Sequence, residues 1–434
     1  MSKYFFAKSF DLYNKTAGII PGRSQTNSKR PEAYAPGGFP AYLCEGKGAH
    51  VRDIDGNEYI DYIAGIGPMT LGYGIESINR AMHERIDKGI SLGLPSPLEF
   101  EAAERIRRFI PCAEMIRFFK TGSDATNAGA RLARAYTGRE KIAMCGYHGQ
   151  ADIWAASLPA DGKGKGVPLV LKDHIRTFEH QKFDGENCLD AVLSKETGQF
   201  AAVTISLPYH LQTSKDFYVY LRETANKHNC ILLFDEIVTG LRWARAGVQE
   251  YFGVIPDLAC YAKGIANGAP ISVLCGKADI LKLMENMQLT STYGGDTLSL
   301  AALIAVSDFY DTHNVIGKIW DNGRKLREGI DKILSKYKLP YKTAGYDCFP
   351  CIEGAALPVN ALINQEMAKR GILFRGTGNK YIMYMLTDED IQKTLKAASE
   401  TFSVIVKIHD DEEKIKQAIQ ANGTEYEEII RTHN

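Results

Sequence analysis

The stretch Ile231-Leu-Leu-Phe-Asp235-Glu236 decides the fold class, because a short apolar run ends on two acids. Such a run predicts a strand buried on both faces, and similar runs occur at Lys141–Cys145 and Ala201–Ile205. Four helical patterns accompany these runs, at 77–89, 98–109, 124–136 and 216–228. Apolar strands that alternate with helices predict an α/β fold with a mainly parallel sheet between two layers of helices.

The two ends of the chain have a different character. Residues 1–48 are rich in Gly, Pro, Ser and Tyr, and their lack of periodicity predicts an irregular segment. His50–Ile54 and Asn57–Tyr62 flank Asp55-Gly56, which predicts a β-hairpin with a type I′ turn. A long helical pattern from about 298 to 337 leads into a C-terminal region whose last feature is a charged helix near 411–420.

Composition excludes several classes of partner. The 434 residues include 52 Lys and Arg and 52 Asp and Glu, so the net charge is zero and no nucleic-acid partner is expected. No apolar run approaches the roughly 20 residues that span a bilayer, so no membrane partner is expected either. The segment that begins at Met1 lacks a signal-peptide pattern, which predicts a cytoplasmic location.

The cysteines carry no evident chemistry. Nine of them are scattered along the chain, an odd number that argues against a disulfide framework and for a reducing compartment. Cys348-Phe-Pro-Cys351 has the C-x-x-C spacing, but no second pair lies near it, so a structural role is favoured over zinc or redox chemistry. No metal site is predicted.

Asp235 is the first candidate functional residue. An acid at the carboxyl end of a buried strand lies where ligands bind in open parallel sheets. The same pattern is also typical of an ATPase Walker B strand, but a Walker A loop needs Gly-Lys followed by Ser or Thr, and none of the five Gly-Lys pairs has this sequel. A purely structural acid remains an alternative.

Two further segments suggest a bound phosphate and a reactive amine. Gly122 and Ser123 precede an Ala-rich helix, whose free N–H groups and dipole favour an anion, although an ordinary N-cap explains the same residues. Lys263 lies among small residues in Tyr261-Ala-Lys263-Gly-Ile-Ala-Asn-Gly268. Partial burial lowers the pKa of a lysine and makes its amine a better nucleophile toward an aldehyde. A surface lysine in a Gly-rich turn is the plainer alternative.

The order of these and other motifs resembles the class III (ω-amino acid type) aminotransferases of pyridoxal-phosphate (PLP) fold type I, and most closely the glutamate-1-semialdehyde 2,1-aminomutase branch. The resemblance runs from about residue 45 to 310 and returns weakly near 365–405. Seven blocks agree in order: Asp53–Asp61, Gly67–Gly72, Arg131–Arg139, Gly146–Gly149, Phe234–Arg242, Pro256–Leu258 and Ser291–Gly295.

The resemblance implies a fold and a domain plan. The large domain would contain a mainly parallel seven-stranded sheet between helices, and would span residues 76–315. A smaller α+β domain would be built from both termini, residues 1–75 and 316–434.

The resemblance also implies roles for named residues. Lys263 would form the internal aldimine with the cofactor aldehyde, and its freed amine would carry a proton during the reaction. Asp235, 28 positions before Lys263, would pair with the protonated pyridine nitrogen. Ile237 and Tyr147 would pack on the two ring faces.

Gly122 and Ser123 would hold the cofactor phosphate. Thr292 would reach the phosphate of a neighbouring subunit, so the active site would be shared within a homodimer. His148, next to Tyr147, would be either a proton-relay residue near the substrate or a hydrogen-bonded turn residue.

Several substrate-side residues depart from the family pattern. Asp296-Thr297 replaces the usual Asn-Pro, Leu207-Pro208 replaces Glu-Pro, and Ile66 replaces a Trp of the aminomutase branch. The stretch Gly371–Lys380 lacks the gating Glu of that branch. Arg23 or Arg30 could bind a substrate carboxylate.

Because the cofactor motifs are kept and the substrate motifs are not, the sequence predicts a PLP-dependent aminotransferase that moves an amino group from a donor amine to an aldehyde or ketone acceptor. The alternatives are an aminomutase, or a decarboxylase or racemase on the same fold. An inactive scaffold protein is disfavoured by the presence of Lys263, Asp235 and Gly122-Ser123.

Overall fold

The computed structural model describes residues 6–34, 38–208, 211–375 and 378–421. The strands are β1 Leu43–Lys47, β2 His50–Asp53, β3 Glu58–Asp61, β4 Met115–Phe119, β5 Lys141–Cys145, β6 Ile175–Thr177, β7 Phe200–Ser206, β8 Ile231–Asp235, β9 Leu258–Tyr261, β10 Ser272–Gly276, β11 Lys342–Tyr346, β12 Phe349–Glu353 and β13 Ile372–Leu373. The α-helices are α1 Ala7–Thr16, α2 Glu76–Ile86, α3 Pro97–Phe109, α4 Gly122–Thr137, α5 Asp152–Ala155, α6 Leu189–Lys195, α7 Lys215–Lys227, α8 Val248–Phe252, α9 Ala278–Leu281, α10 Thr297–Thr312, α11 Val315–Lys336, α12 Leu357–Ala368, α13 Asp388–Ile405 and α14 Glu412–Gln420.

The chain divides into two compact units. The larger unit consists of Glu76–Pro208 and Thr213–Ile316. The smaller unit consists of the described residues up to Ile75, those from Gly317 onward, and a short piece that ends at Gln212.

A seven-stranded sheet in the order β4-β10-β9-β8-β7-β5-β6 forms the centre of the larger unit. The five strands from β9 to β6 pair in parallel, whereas β10 is antiparallel to both of its neighbours. Every residue of β7, β8 and β10 is buried, as strands covered on both faces require. The predicted mainly parallel sheet is confirmed.

Two neighbouring residues of β8 show that helices cover both faces of this sheet. Leu233 points at α4, where a Cβ on Gly129 would lie 2.4 Å from Cδ1 of Leu233. Phe234 meets the edge of Tyr218 on α7, with the ring centroids 5.2 Å apart. Because adjacent strand residues face opposite sides of a sheet, α4 and α7 lie on opposite faces.

The smaller unit contains a four-stranded sheet in the order β1-β2-β3-β13 and a separate β11-β12 hairpin. Strands β1, β2 and β3 are antiparallel, and β13 joins β3 in parallel. Helix α12 packs against α13 and α14.

Three local predictions were wrong. The Asp55-Gly56 turn is not type I′: Gly56 donates its N–H to the Asp53 carbonyl and has a φ of +90°, but Asp55 is not in the left-handed region. The result is a three-residue loop with a Gly bulge, and Asp53 secures it by accepting the N–H of Asn57 at 2.9 Å.

The helical pattern from 298 to 337 forms two helices, because His313 leaves the helix with φ −132° and ψ 141° and separates α10 from α11. The supposedly irregular segment 1–48 contains α1 and β1. Helix α1 has no local side-chain cap, and Asp55 of the hairpin loop caps it instead by accepting the N–H groups of Lys8 and Ser9 at 2.7 and 2.8 Å.

Candidate active site

The candidate functional residues of the larger unit follow the carboxyl ends of parallel strands. Asp235 ends β8 and lies opposite Ser206 of β7 and Cys260 of β9 in the strand register. Lys263 comes two residues after β9, and His148 three residues after β5. Because parallel strands end at the same edge of a sheet, this topology gathers these side chains at one edge.

Asp235 and His148 form a buried pair. The Nδ1 atom of His148 lies 2.9 Å from Oδ2 of Asp235, and the two side chains are 0% and 4% exposed. The other ring nitrogen, Nε2, lies 3.2 Å from the carbonyl oxygen of Cys145, which can only accept a hydrogen bond. Nε2 therefore carries a proton, and the contact between Nδ1 and the carboxyl group needs a second one. The pair thus holds an imidazolium against a carboxylate, or a neutral imidazole against a protonated acid.

The other carboxyl oxygen of Asp235 and the backbone carbonyl of His148 are also held by hydrogen bonds. Asp235 Oδ1 accepts the N–H of Ile237 at 3.2 Å. Thr126 donates its hydroxyl to the His148 carbonyl at 2.6 Å and accepts from the indole N–H of Trp154 at 3.1 Å. Thr126 and Trp154 were not identified from the sequence as supports of His148. The only sequence feature that pointed to them was a Thr on the Ala-rich face of α4.

The N-terminus of α4 has the geometry of an anion-binding site. Thr121 and Asp124 form a capping box at this end. Among the described residues, the N–H groups of Gly122 and Ser123 have no acceptor. The Oγ atom of Ser123 accepts the N–H groups of Gln150 and Ala151 at 3.0 and 3.2 Å, which leaves its hydroxyl hydrogen available to donate. These free donors and the helix dipole favour a bound phosphate.

Lys263 has an unusual backbone. Its φ of +51° lies in the left-handed region, which costs a non-glycine residue about 1 kcal/mol or more. The side chain is half-buried. Asn267, at the end of the same short 3₁₀ turn, also has a positive φ of 44°. Such strain persists only where the surrounding structure holds it.

Tyr147 and Thr292 are both exposed. Tyr147 is 41% exposed and follows Gly146, whose φ is +95°. Thr292 lines an open groove of about 500 Å³ together with the segment 91–95.

The departure Asp296-Thr297 has a structural reason. Asp296 caps α10 by accepting the N–H of Ser299 at 2.9 Å, and its other oxygen forms an ion pair with Lys120. Thr297 donates its N–H to the Ile90 carbonyl at 2.9 Å, a bond that a proline could not form.

Arg23 and Arg30 belong to the smaller unit. Arg23 donates to Glu32 at 2.6 Å and to the Tyr13 carbonyl at 3.1 Å, and its guanidinium lies 4.1 Å from the centre of the Tyr13 ring. Arg30 packs against Gly22, where a Cβ would lie 2.4 Å from its Nε atom. Within the same unit, Gly376 and Thr377 of the stretch Gly371–Lys380 lie outside the described residues.

Comparison with known proteins decides the family. The model of the class III aminotransferase family matches residues 33–402. The chain belongs to the class III aminotransferases. It is 31% identical to a 3-aminobutyryl-CoA aminotransferase of Cloacimonas acidaminovorans (strain Evry), over 94% of this chain and 99% of that protein. It is also 31% identical to a glutamate-1-semialdehyde 2,1-aminomutase of Archaeoglobus fulgidus, over 91% of this chain and 99% of that protein.

Solved structures agree on the fold. The FumI protein of Sphingopyxis sp. MTA144, in its PLP form, superposes with a TM-score of 0.87 at 24% identity, over 94% of this chain and all of that one. The fold of this aminotransferase is PLP fold type I, and its cofactor is pyridoxal 5′-phosphate.

The residues at the sheet edge suit this cofactor. A primary amine, a carboxylate and two free N–H groups at a helix start match its aldehyde, its pyridine nitrogen and its phosphate. Glycine is needed where these elements meet: a Cβ on Gly149, whose φ is +120°, would lie 2.5 Å from Ser123 Oγ. In the described part of the chain, no group of three or more His, Cys, Asp or Glu side chains is arranged to hold a metal ion.

Proposed function

We propose that this aminotransferase uses Lys263, Asp235 and the N-terminus of α4 to transfer an amino group from a donor amine to an aldehyde or ketone acceptor. The observation that carries the proposal is the buried pair of Asp235 and His148 at the sheet edge that also bears Lys263. When bound, the cofactor supplies an electron-withdrawing ring that stabilises negative charge on the substrate carbon.

Each side chain has a task in this proposal. Asp235 holds the proton on the cofactor's ring nitrogen, and His148 keeps the Asp235 carboxylate in position and compensates its charge. The Nζ atom of Lys263 would hold the cofactor covalently at rest and would carry a proton when it is free. Gly122 and Ser123 bind the phosphate through their N–H groups and the Ser123 hydroxyl. Ile237 and Tyr147 would pack on the two faces of the cofactor ring.

The test uses the purified protein and its Lys263→Ala variant. We expect the wild type to carry a visible absorbance band from the lysine-bound cofactor and the variant to lack it. Candidate donor amines are then mixed with the wild type one at a time. An amine that is a donor should remove that band, because it completes the first half-reaction. A colourless wild type that also fails to take up added PLP would sink the proposal.

The second candidate is an aminomutase, which moves the amine within one molecule. Relatives such as the A. fulgidus aminomutase favour it. Ile66 and the absence of a Glu from Gly371–Lys380 favour a transaminase instead. Incubation with glutamate 1-semialdehyde and no other amine donor separates the two, because only an aminomutase completes that reaction. Decarboxylase and racemase activities would appear as CO₂ release or loss of optical rotation.

A homodimer is part of the proposal. The larger unit exposes five large apolar side chains within residues 86–100 and a sixth at Tyr293: Ile86, Ile90, Leu92, Leu94, Phe100 and Tyr293. Leu94 and Phe100, which are 82% and 72% exposed, line the groove that Thr292 also lines. Exposed apolar patches often form interfaces, and in this proposal a second copy covers these residues and brings Thr292 near its cofactor phosphate. Light scattering should give the dimer mass, and Leu94→Asp should give a monomer with weakened cofactor binding.

The cytoplasmic location also stays within the proposal. All nine cysteines are free thiols and eight are buried, including Cys348 and Cys351, as a reducing compartment would leave them. Within residues 6–421, apart from the three gaps named above, no helix combines the length and apolarity needed to cross a membrane.

A further inference from the structure

Glu236 is a buried acid next to Asp235 that the proposed chemistry does not use. Its side chain is fully buried and accepts three hydrogen bonds. Two come from the N–H groups of Val248 at 2.9 Å and Gln249 at 3.0 Å, and the third comes from the Thr239 hydroxyl. Burial raises the pKa of Glu236 to about 7. Glu236 therefore fixes the backbone where α8 begins.

The hydrogen bonds continue from α8 to the strand before Lys263. Gln249 donates its side-chain N–H to the Tyr261 hydroxyl at 2.7 Å, and its Oε1 accepts the N–H of Cys112 at 3.2 Å. The Tyr261 hydroxyl donates to the Ala246 carbonyl at 2.8 Å. The Glu236 N–H bonds to the Cys260 carbonyl at 2.8 Å, so Glu236 reaches β9 both directly and through Gln249.

The Tyr261 ring has little room to move. A Cβ on Gly240 would lie 2.4 Å from Cδ1 of Tyr261, and a Cβ on Gly247 would lie 2.1 Å from Oε2 of Glu236. Glycine at both positions allows this close packing. Tyr261 is thus fixed at its hydroxyl, along its ring and through its strand.

This network ends two residues before a strained backbone. Lys263 keeps a φ of +51° that an unrestrained lysine would leave. Tyr261 is the last residue of β9, so fixing it sets the direction in which the chain enters Lys263. Glu236 also follows Asp235 directly in the chain. One buried side chain therefore restrains both the segment after β8, which follows Asp235, and the segment after β9, which contains Lys263.

We propose that Glu236 is a positioning residue that, through Gln249 and Tyr261, sets the placement of Lys263 relative to Asp235. The inference rests on the proposed function, because it assigns Lys263 and Asp235 to the cofactor. In this inference Glu236 acts only through the backbone that it holds.

The test is Tyr261→Phe in the holoenzyme, which removes one hydroxyl and keeps the ring. Borohydride reduction followed by peptide mass spectrometry measures the fraction of bound cofactor attached to Lys263. We expect total bound cofactor to stay at the wild-type level, since the phosphate site is untouched, while the attached fraction falls. The turnover number kcat should fall about tenfold with KM for the donor nearly unchanged, as a small misplacement of a reacting group predicts. Hydrogen exchange at 262–268 should become faster.

Tyr310→Phe is the matched control. Tyr310 is also buried in the larger unit, and its hydroxyl donates to the Leu241 carbonyl at 2.5 Å. Glu236→Gln, whose amide cannot accept at both backbone donors, should behave like Tyr261→Phe. The inference is overturned if Tyr310→Phe lowers the attached fraction equally, or if either Tyr261→Phe or Glu236→Gln retains the wild-type attached fraction. A wild type without lysine-bound cofactor overturns the proposed function and this inference with it.

Discussion

Gly122 and Ile237 touch so closely that no side chain fits between them: a Cβ on Gly122 would lie 2.5 Å from Cδ1 of Ile237. The start of α4, the proposed phosphate site, therefore packs directly against the loop that follows Asp235.

Gly122→Ala should weaken cofactor binding at least tenfold, because an added methyl group pushes apart the proposed phosphate site and one proposed face of the ring site. Equilibrium dialysis against PLP measures the change. The control is Gly18→Ala, where a Cβ would meet nothing within 4 Å. Equal affinity for PLP in both variants would show that Gly122 does not form part of the cofactor site.

His148→Asn should lower kcat about tenfold, the effect of losing roughly 1.4 kcal/mol of charge stabilisation in the buried pair with Asp235. The bound cofactor should remain, because the phosphate site and Lys263 are unchanged. His180→Asn is the control, since His180 bonds to the Thr213 hydroxyl at 2.8 Å rather than to Asp235. An unchanged kcat for His148→Asn would make His148 a structural turn residue.

His50 should make the smaller unit more stable in mild acid than in mild base. A hydrogen bond to Asp390, at 2.9 Å, raises the pKa of His50 above its usual 6.5, with Glu58 adding to the effect. A raised folded-state pKa gives stability that is complete below the unfolded pKa and lost as the pH rises through the folded one. The pKa of Asp390 is lowered to about 2, so Asp390 stays ionised throughout this range.

The comparison is between wild type and His50→Asn. Hydrogen exchange in β2 and α13 should show a larger stability gap at about pH 6 than at about pH 9, where both proteins lack the charge. A gap independent of pH would show that His50 contributes packing alone.

Asp55→Ala should open α1, because it removes the acceptor for the N–H groups of Lys8 and Ser9. We expect a loss of about 1 kcal/mol, typical of an N-cap, measured by hydrogen exchange within Ala7–Thr16. Asp11→Ala removes only an exposed ion pair with Lys15 and should change little. Equal effects would indicate that charge, rather than the cap, holds the helix.

The larger unit was predictable because its signals are local. The strand Lys141–Cys145 has the predicted bounds, and α3, α4 and α7 begin within two residues of the predicted positions. Apolar runs and helical periods encode such elements directly. Gly122 and Ser123 likewise indicated the start of α4, although an ordinary N-cap explained them without a phosphate.

The features that the sequence analysis did not predict depend on contacts between residues far apart along the chain. Helix α1 takes its cap from Asp55, and Asp235 takes its charge partner from the loop after β5. The network from Glu236 to Tyr261 depends on Gln249, a residue that looks unremarkable in the sequence. Periodicity cannot report a hydrogen bond whose two ends lie far apart along the chain.

Strand β13 has a consequence for how the protein is made. Its residue Ile372 pairs with Ile60 of β3, a partner synthesised more than three hundred residues earlier. During synthesis on the ribosome, the β13 partner of β3 therefore becomes available only after the larger unit has emerged. Because unpaired strand edges in unfinished chains promote misassembly, the free edge of β3 is exposed to that risk until β13 has been synthesised.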